Sequence, residues 1–165
     1  MSDATILRPG ERTAPAVVAD DARLIFIGRI RTPWVEVADC PRMGQADGPQ
    51  CRIEIDAVWA PALEGIAVGS RIEIFYWFDR SRRDLVVQAP RHAPTLRGTF
   101  SLRSPHRPNP IGVSIVSVEA VEGTTLVVRG LDCIDGTALI DIKPHVCDFA
   151  PGAGELSADG DHDAA

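Results

Sequence analysis

Polar and apolar residues alternate with a period of two along much of the chain. In Arg52-Ile53-Glu54-Ile55-Asp56, and again in Arg71-Ile72-Glu73-Ile74-Phe75, the isoleucines fall on one side and the charges on the other. That is the pattern of a half-buried strand, not of a helix. Runs of strand length rich in β-branched and aromatic residues predict strands over 24–31, 52–59, 71–78, 85–88, 98–103, 113–118, 125–129 and 138–142. Gly and Pro interrupt them at 61–65, at Glu122-Gly123 and at Asp135-Gly136, which breaks any long helical reading. The expectation is an all-β (mainly β) domain closed into a barrel. No repeat of solenoid spacing is visible.

Length and composition fit this picture without naming a function. The 165 residues suit one domain, and shares of 45% apolar and 24% charged residues are those of a globular protein. The expected organisation is a flexible tail over 1–22, one barrel domain over 23–150 and an acidic, disordered tail over 151–165, where Glu155, Asp159, Asp161 and Asp163 stand among Gly and Ala. Residues 1–22 mix acids and arginines and lack the apolar core of a signal peptide. No stretch reaches the roughly 18 to 20 apolar residues of a membrane span. The reading is a cytoplasmic protein.

The four cysteines, Cys40, Cys51, Cys133 and Cys147, form no C-x-x-C pair, so no metal is expected. Two disulfides are arithmetically open, and free, partly buried thiols are the reading for a reducing compartment. The net charge of -6 argues at first against a polyanionic partner. Its distribution changes that conclusion, because Arg71, Arg80, Arg82, Arg83, Arg91, Arg97, Arg103 and Arg107 crowd one window against only Glu73, Asp79 and Asp84.

Within that window runs Arg103-Ser104-Pro105-His106-Arg107-Pro108-Asn109-Pro110-Ile111-Gly112. Its three prolines fix their own φ and keep the residues before them out of helical geometry, so the loop is extended and stiff. It is either a rigid turn with solvated arginines or a loop built to bind. A second unusual stretch runs from Leu131-Asp132-Cys133-Ile134-Asp135-Gly136-Thr137 to Asp141-Ile142-Lys143-Pro144-His145, and Lys143 is the one lysine of the sequence. Acids at a turn accept hydrogen bonds from ribose hydroxyls, and a lysine contacts anions. A plain hairpin turn with an Asp141–Lys143 surface pair accounts for the same residues.

With Ile27-Gly28-Arg29-Ile30-Arg31-Thr32-Pro33 and Cys40-Pro41-Arg42, these stretches make four blocks, and over about 24–146 the chain resembles the tRNA N6-threonylcarbamoyladenosine methyltransferase family, also called YaeB or TsaA-like. The resemblance implies a single-sheet β-barrel with short helical turns, a homodimer, S-adenosylmethionine as methyl donor beside the subunit interface, and no metal. It implies methylation of a modified adenosine in the anticodon stem-loop of tRNA. Donor-binding positions carried over are Pro41, Arg42, Met43, Asp79, Arg80, Arg103, Val113, Asp132, Cys133, Ile134 and Asp135. Arg107 and Asn109 are expected to orient substrate, with Arg82 and Arg83 on the same basic face, and Asp141, Lys143 and His145 are the candidates for catalysis. Met43, Asp79-Arg80, Ala138 and His145 depart from the family's usual Gln, His-Gln, Pro and Tyr, and the C-terminal domain of longer members is missing.

Methyl transfer from a sulfonium is an in-line displacement that asks chiefly for positioning. The urea-like substituent on N6 requires that its proton be lost, and Asp141 or His145 is the expected acceptor. Two other readings stand beside this one. The first is a donor-dependent methyltransferase of another RNA or a small molecule. The second is a non-catalytic RNA-binding barrel that uses Trp34 or Trp77 as stacking platforms.

Overall fold

The computed structural model describes residues 7–14, 23–90 and 95–146. Its strands are β1 (Arg12–Thr13), β2 (Gly28–Arg31), β3 (Gln50–Ile55), β4 (Arg71–Trp77), β5 (Leu85–Gln88), β6 (Arg97–Gly98), β7 (Ile111–Glu122), β8 (Thr125–Arg129) and β9 (Thr137–Pro144). Six of them close a barrel in the order β2-β3-β8-β7-β4-β9, with β9 returning to β2. The other three form a small antiparallel sheet, β1-β5-β6. A 3-10 turn over Ala57–Leu63 and a shorter one over Thr99–Ser101 complete the regular elements among the described residues.

The alternation in the sequence explains the core. Ile53, Ile72, Ile74 and Leu126 point inward with Ile30, Val116, Val128 and Leu139 and are almost wholly buried. Burial of such side chains stabilises by about 1.5–3 kcal/mol each relative to exposure. The β7–β8 hairpin turns on two residues between the paired Glu122 and Thr125, and Gly123 takes φ 62, which an L side chain rarely adopts.

Three strands stop short of an expected end for local reasons, and one forms where none was expected. The strand expected over 52–59 ends at Ile55, because Pro61 lies in the following 3-10 turn and Trp59 N–H donates to Asp56 O at 2.8 Å. The strand expected over 98–103 shortens to Arg97–Gly98, since Thr99 turns inward, where its hydroxyl donates to Leu85 O at 2.7 Å, and Leu102 N–H donates back to Thr99 O at 3.1 Å. Strand β2 begins only at Gly28, where a Cβ would lie 2.1 Å from Glu54 O, and residues 24–26 are exposed. Arg12–Thr13 pairs with β5, so part of the segment expected to lie outside the fold is ordered against it.

Two irregularities place the functional residues. The β4–β9 register shifts between Phe75 and Tyr76, so Tyr76 pairs Leu139 while Phe75 pairs Asp141. This bulge re-aims Asp141 and Lys143 onto the outer face beside Phe75 and Glu73. In addition, β8 pairs β7 only from Val118 onward, so the first half of β7 has β4 as its ladder partner and its other edge borders a gap in the barrel wall.

Candidate active site

The gap is a cleft of about 480 Å³. Its floor comes from β4 and β7, with Glu73, Phe75, Val113, Ser114 and Ile115, and its rim from Met43, Gly44, Arg103, Gly130 and Asp132. The volume lies within the usual range of small-ligand sites, roughly 300–1,000 Å³, and the lining has their mix of apolar surface with a few convergent polar groups.

Its cation, Arg103, stands at the start of the proline-rich loop and reaches Val113 O at 3.3 Å. The loop is stiff for more reasons than its prolines. The Arg107 guanidinium donates to Ser104 O at 2.9 Å and to Leu102 O, His106 Nδ1 accepts Arg82 N–H at 3.2 Å, and Gln88 Nε2 donates to His106 O at 2.7 Å. Arg107 therefore braces the loop that carries Arg103, while Asn109 is exposed beyond it.

Of its two acids, Glu73 and Asp132, the second is held by the barrel. The buried Tyr76 hydroxyl donates to Asp132 Oδ1 at 2.6 Å, Ser114 Oγ lies 3.3 Å from the same oxygen and 2.9 Å from the tyrosine, and Gly44 N–H donates to Oδ2 at 3.2 Å. Burial, then the negative charge of Asp132, push the Tyr76 hydroxyl far above its ordinary value, so it remains a donor at any physiological pH. The neighbouring Cys133 points into the core, where burial pushes its thiol up to about 12.

The eleven candidate donor positions do not converge on one cavity. Met43, Arg103, Val113 and Asp132 line the cleft. Asp79, Arg80, Ile134 and Asp135 line a second cavity of about 220 Å³, with Phe26, Arg29 and Trp77. The 130–136 connection separates the two, with Asp132 on one side and Asp135 on the other. Pro41 and Arg42 stand on the Met43 loop outside both cavities.

Of the catalytic candidates, Asp141 and Lys143 lie on the outer face of β9 and His145 follows its last residue. Lys143 Nζ is 2.9 Å from Asp141 Oδ2 and 6.0 Å from the Phe75 ring centre, while Asp141 Oδ1 accepts Ile142 N–H at 2.9 Å. His145 Nδ1 is 2.9 Å from Glu73 Oε1, with its side chain only 16% exposed. Glu73 was legible in the sequence only as the polar side of an alternating strand, and Tyr76, Ser114, Gly44 and Gly130 carried no pattern that set them apart. Of the expected phosphate contacts, Arg82 is 15% exposed and bidentate to Asp84, and Arg83 lies over Trp77 at 4.9 Å. Arg91 falls outside the described residues. Trp34 is tied through Nε1 to Leu131 O at 3.2 Å.

A six-stranded barrel whose wall opens on an arginine, an aspartate and an exposed strand edge defines a small-molecule-binding β-barrel. The chain belongs to the tRNA-methyltransferase O N-terminal domain family, whose model matches residues 29–150. It is 52% identical over 140 residues to the probable S-adenosyl-L-methionine-binding protein VirR of Rhizobium radiobacter, covering 85% of this chain and 80% of that protein. Against the tRNA (adenine(37)-N6)-methyltransferase of Mus musculus it is 38% identical over 104 residues, 61% of this chain and 24% of that one. A crystal structure of TrmO superposes with a TM-score of 0.63 at 29% identity, over 87% of this chain and 64% of the other. The chain thus spans just under two thirds of that solved protein. No helix among the described residues is long and apolar enough to cross a membrane.

Proposed function

We propose that this protein is a cytoplasmic, homodimeric, S-adenosylmethionine-dependent methyltransferase that methylates N6 of threonylcarbamoyladenosine at tRNA position 37. The observation that carries the reading is the cleft, in which a guanidinium, a fixed carboxylate and a strand edge surround a space of ligand size. These groups fit the donor. Arg103 clamps its carboxylate, Asp132 accepts from a ribose hydroxyl through a lone pair left by its protein partners, and backbone groups at Val113 meet the adenine edge. Met43, on the loop with Pro41 and Arg42, edges the site.

When bound, the donor supplies an electrophilic methyl group on a sulfonium. The chain's own tasks are to align the acceptor nitrogen and to take its proton. His145 suits the second task better than Asp141, which is committed to Lys143 and the Ile142 amide. In the tautomer that donates Nδ1–H to Glu73, whose carboxylate also lines the cleft, the imidazole offers Nε2 as an acceptor.

The homodimer is supported by the division of the donor positions between two cavities, and by apolar surface on the outer barrel wall, where Ile111 is 40% and Ile115 50% exposed. A second copy set against this wall encloses the cleft and brings the Asp79-Arg80 and Ile134-Asp135 group toward the Arg103 and Asp132 group. For the anticodon stem-loop, Arg82 is occupied by Asp84 and Arg107 by its own loop, so Arg83, with the exposed Arg97, makes the phosphate contacts, and Asn109 meets the substrate.

Mass spectrometry of tRNA nucleosides from cells with and without the gene tests the reading. The methylated threonylcarbamoyladenosine should vanish with the gene. The 52% identity to a protein named only as S-adenosyl-L-methionine-binding supports a second reading, a donor-dependent methyltransferase of another acceptor, for which the tRNA nucleosides stay unchanged while the protein still binds the donor.

A further inference from the structure

Asp132 stands where three parts of the fold meet: the barrel interior at Tyr76, the open half of β7 at Ser114 and the 40–48 loop at Gly44. We propose that Tyr76 is a positioning residue for the methyl-donor site, whose hydroxyl, backed by Ser114, fixes Asp132 and through it latches the Met43 loop over the cleft. The inference rests on the reading of the cleft as the donor site.

Packing sets where the tyrosine ring lies. The ring is 1% exposed, meets Phe78 edge-on at 5.2 Å, and occupies a slot left by Gly112, where a Cβ would come within 2.2 Å of it. A phenylalanine would fill the same space, so the hydroxyl adds nothing to core packing. Its hydrogen-bond partners among the described residues are Ser114 and Asp132. Tyrosine has one proton to give, and the 2.6 Å contact commits it to the carboxylate. Ser114 then donates either to the tyrosine oxygen or to Asp132 Oδ1, and both protons serve the same anion.

On the other oxygen hangs the loop. Gly44 and Gly130 lie backbone to backbone: a Cβ on Gly44 would sit 1.9 Å from Gly130 O, and one on Gly130 would sit 1.8 Å from Gln45 O. The far end of the loop is held separately, by Arg129 Nη1 to Gly48 O at 3.0 Å and Gly130 N–H to Pro49 O at 3.1 Å. The near end, beside Met43, has the Asp132 carboxylate as its side-chain anchor. Without the tyrosine hydroxyl the carboxylate is free to rotate toward water and release Gly44 N–H. The cleft then loses one wall and the orientation of its anion together.

The test compares full-length wild type, Tyr76→Phe and Ser114→Ala, with S-adenosylhomocysteine as the calorimetric probe and hydrogen exchange over 40–48 in the free protein. Tyr76→Phe should raise the probe's Kd about tenfold, near the scale of one hydrogen bond to a charged group, and Ser114→Ala about threefold, that of an ordinary one. Exchange in the loop should quicken in both, while in Tyr76→Phe the loss falls on the donor's KM more than on kcat. A folded Tyr76→Phe that binds the probe with wild-type Kd overturns the proposal whatever the exchange shows. If that variant does not fold, an unchanged Kd in Ser114→Ala overturns it instead. Folded wild type that binds no probe overturns the donor reading itself, and this role with it. Normal wild-type binding with indifferent variants overturns the role of Tyr76 alone.

Discussion

Substituting alanine for Gly44 separates the cleft's loop from the barrel without touching a side chain of the site. The new Cβ would lie 1.9 Å from Gly130 O, where ordinary contacts begin beyond 3 Å, so the loop must lift by more than an ångström. That displacement carries the Gly44 amide out of reach of Asp132 Oδ2, now 3.2 Å away. A lost hydrogen bond to a charged group costs about 1.5–3 kcal/mol and overpacking about 1–3 kcal/mol. The loop lies at the surface and undocks sooner than the barrel unfolds, so most of this cost appears in ligand binding. Donor affinity in Gly44→Ala should fall at least about tenfold, and global stability in urea should fall by less than about 1 kcal/mol. Gly98→Ala is the control, since nothing lies within 4 Å of its Cβ and the N-cap φ is an ordinary -62. It should bind and unfold like wild type. Wild-type donor affinity in a folded Gly44→Ala would refute the claim that this loop forms the cleft.

Other expectations follow from single contacts. Arg103→Ala should weaken the donor by about 1.5–3 kcal/mol in calorimetry, the value of a charge-assisted hydrogen bond, with little change in melting temperature; full affinity would remove Arg103 from the site. In a salt titration of tRNA binding, Arg83→Ala should lower the slope of log K on log[salt] by about 0.7 to 0.9, whereas Arg82→Ala should leave it nearly unchanged, and equal effects would count against this division. The hydrogen bond from Arg82 holds the Asp84 carboxyl below its ordinary value. A lowered folded pKa gives stability that is present above the unfolded value and lost as pH falls through the folded one. Asp84→Asn should therefore cost up to about 1 kcal/mol at pH 7, with the gap closing below about pH 4, as urea titrations at both pH values will show.

What the sequence revealed followed from local physics. Leu85–Gln88 and Thr125–Arg129 have the bounds that their apolar runs predict, since each lies between turn residues and meets a neighbouring strand along its whole length. The family resemblance brought Arg103, Val113 and Asp132 to notice because they lie in or beside unusual proline-rich and acidic stretches. Other residues were hidden because their roles arise from pairing across the chain. Glu73 looks like any solvent-facing acid of an alternating strand until register sets it beside Lys143 and folding beside His145. Tyr76 looks like any core aromatic until Asp132, 56 positions away, reaches its hydroxyl. The basic window suggested a face of equivalent arginines, but Asp84 beside Arg82 and the carbonyls beside Arg107 had already engaged two of them. The β4–β9 bulge, which turns Asp141 and Lys143 outward, leaves no mark in the alternation that predicts the strand.

The most direct measurement is a reconstituted reaction: the purified chain, S-adenosylmethionine and tRNA bearing unmethylated threonylcarbamoyladenosine, followed by mass spectrometry of the digested nucleosides. The account predicts that this nucleoside is converted to its N6-methyl form, and that Arg103→Ala suppresses the conversion at limiting donor. Unchanged nucleoside in the presence of folded, donor-bound protein would contradict it.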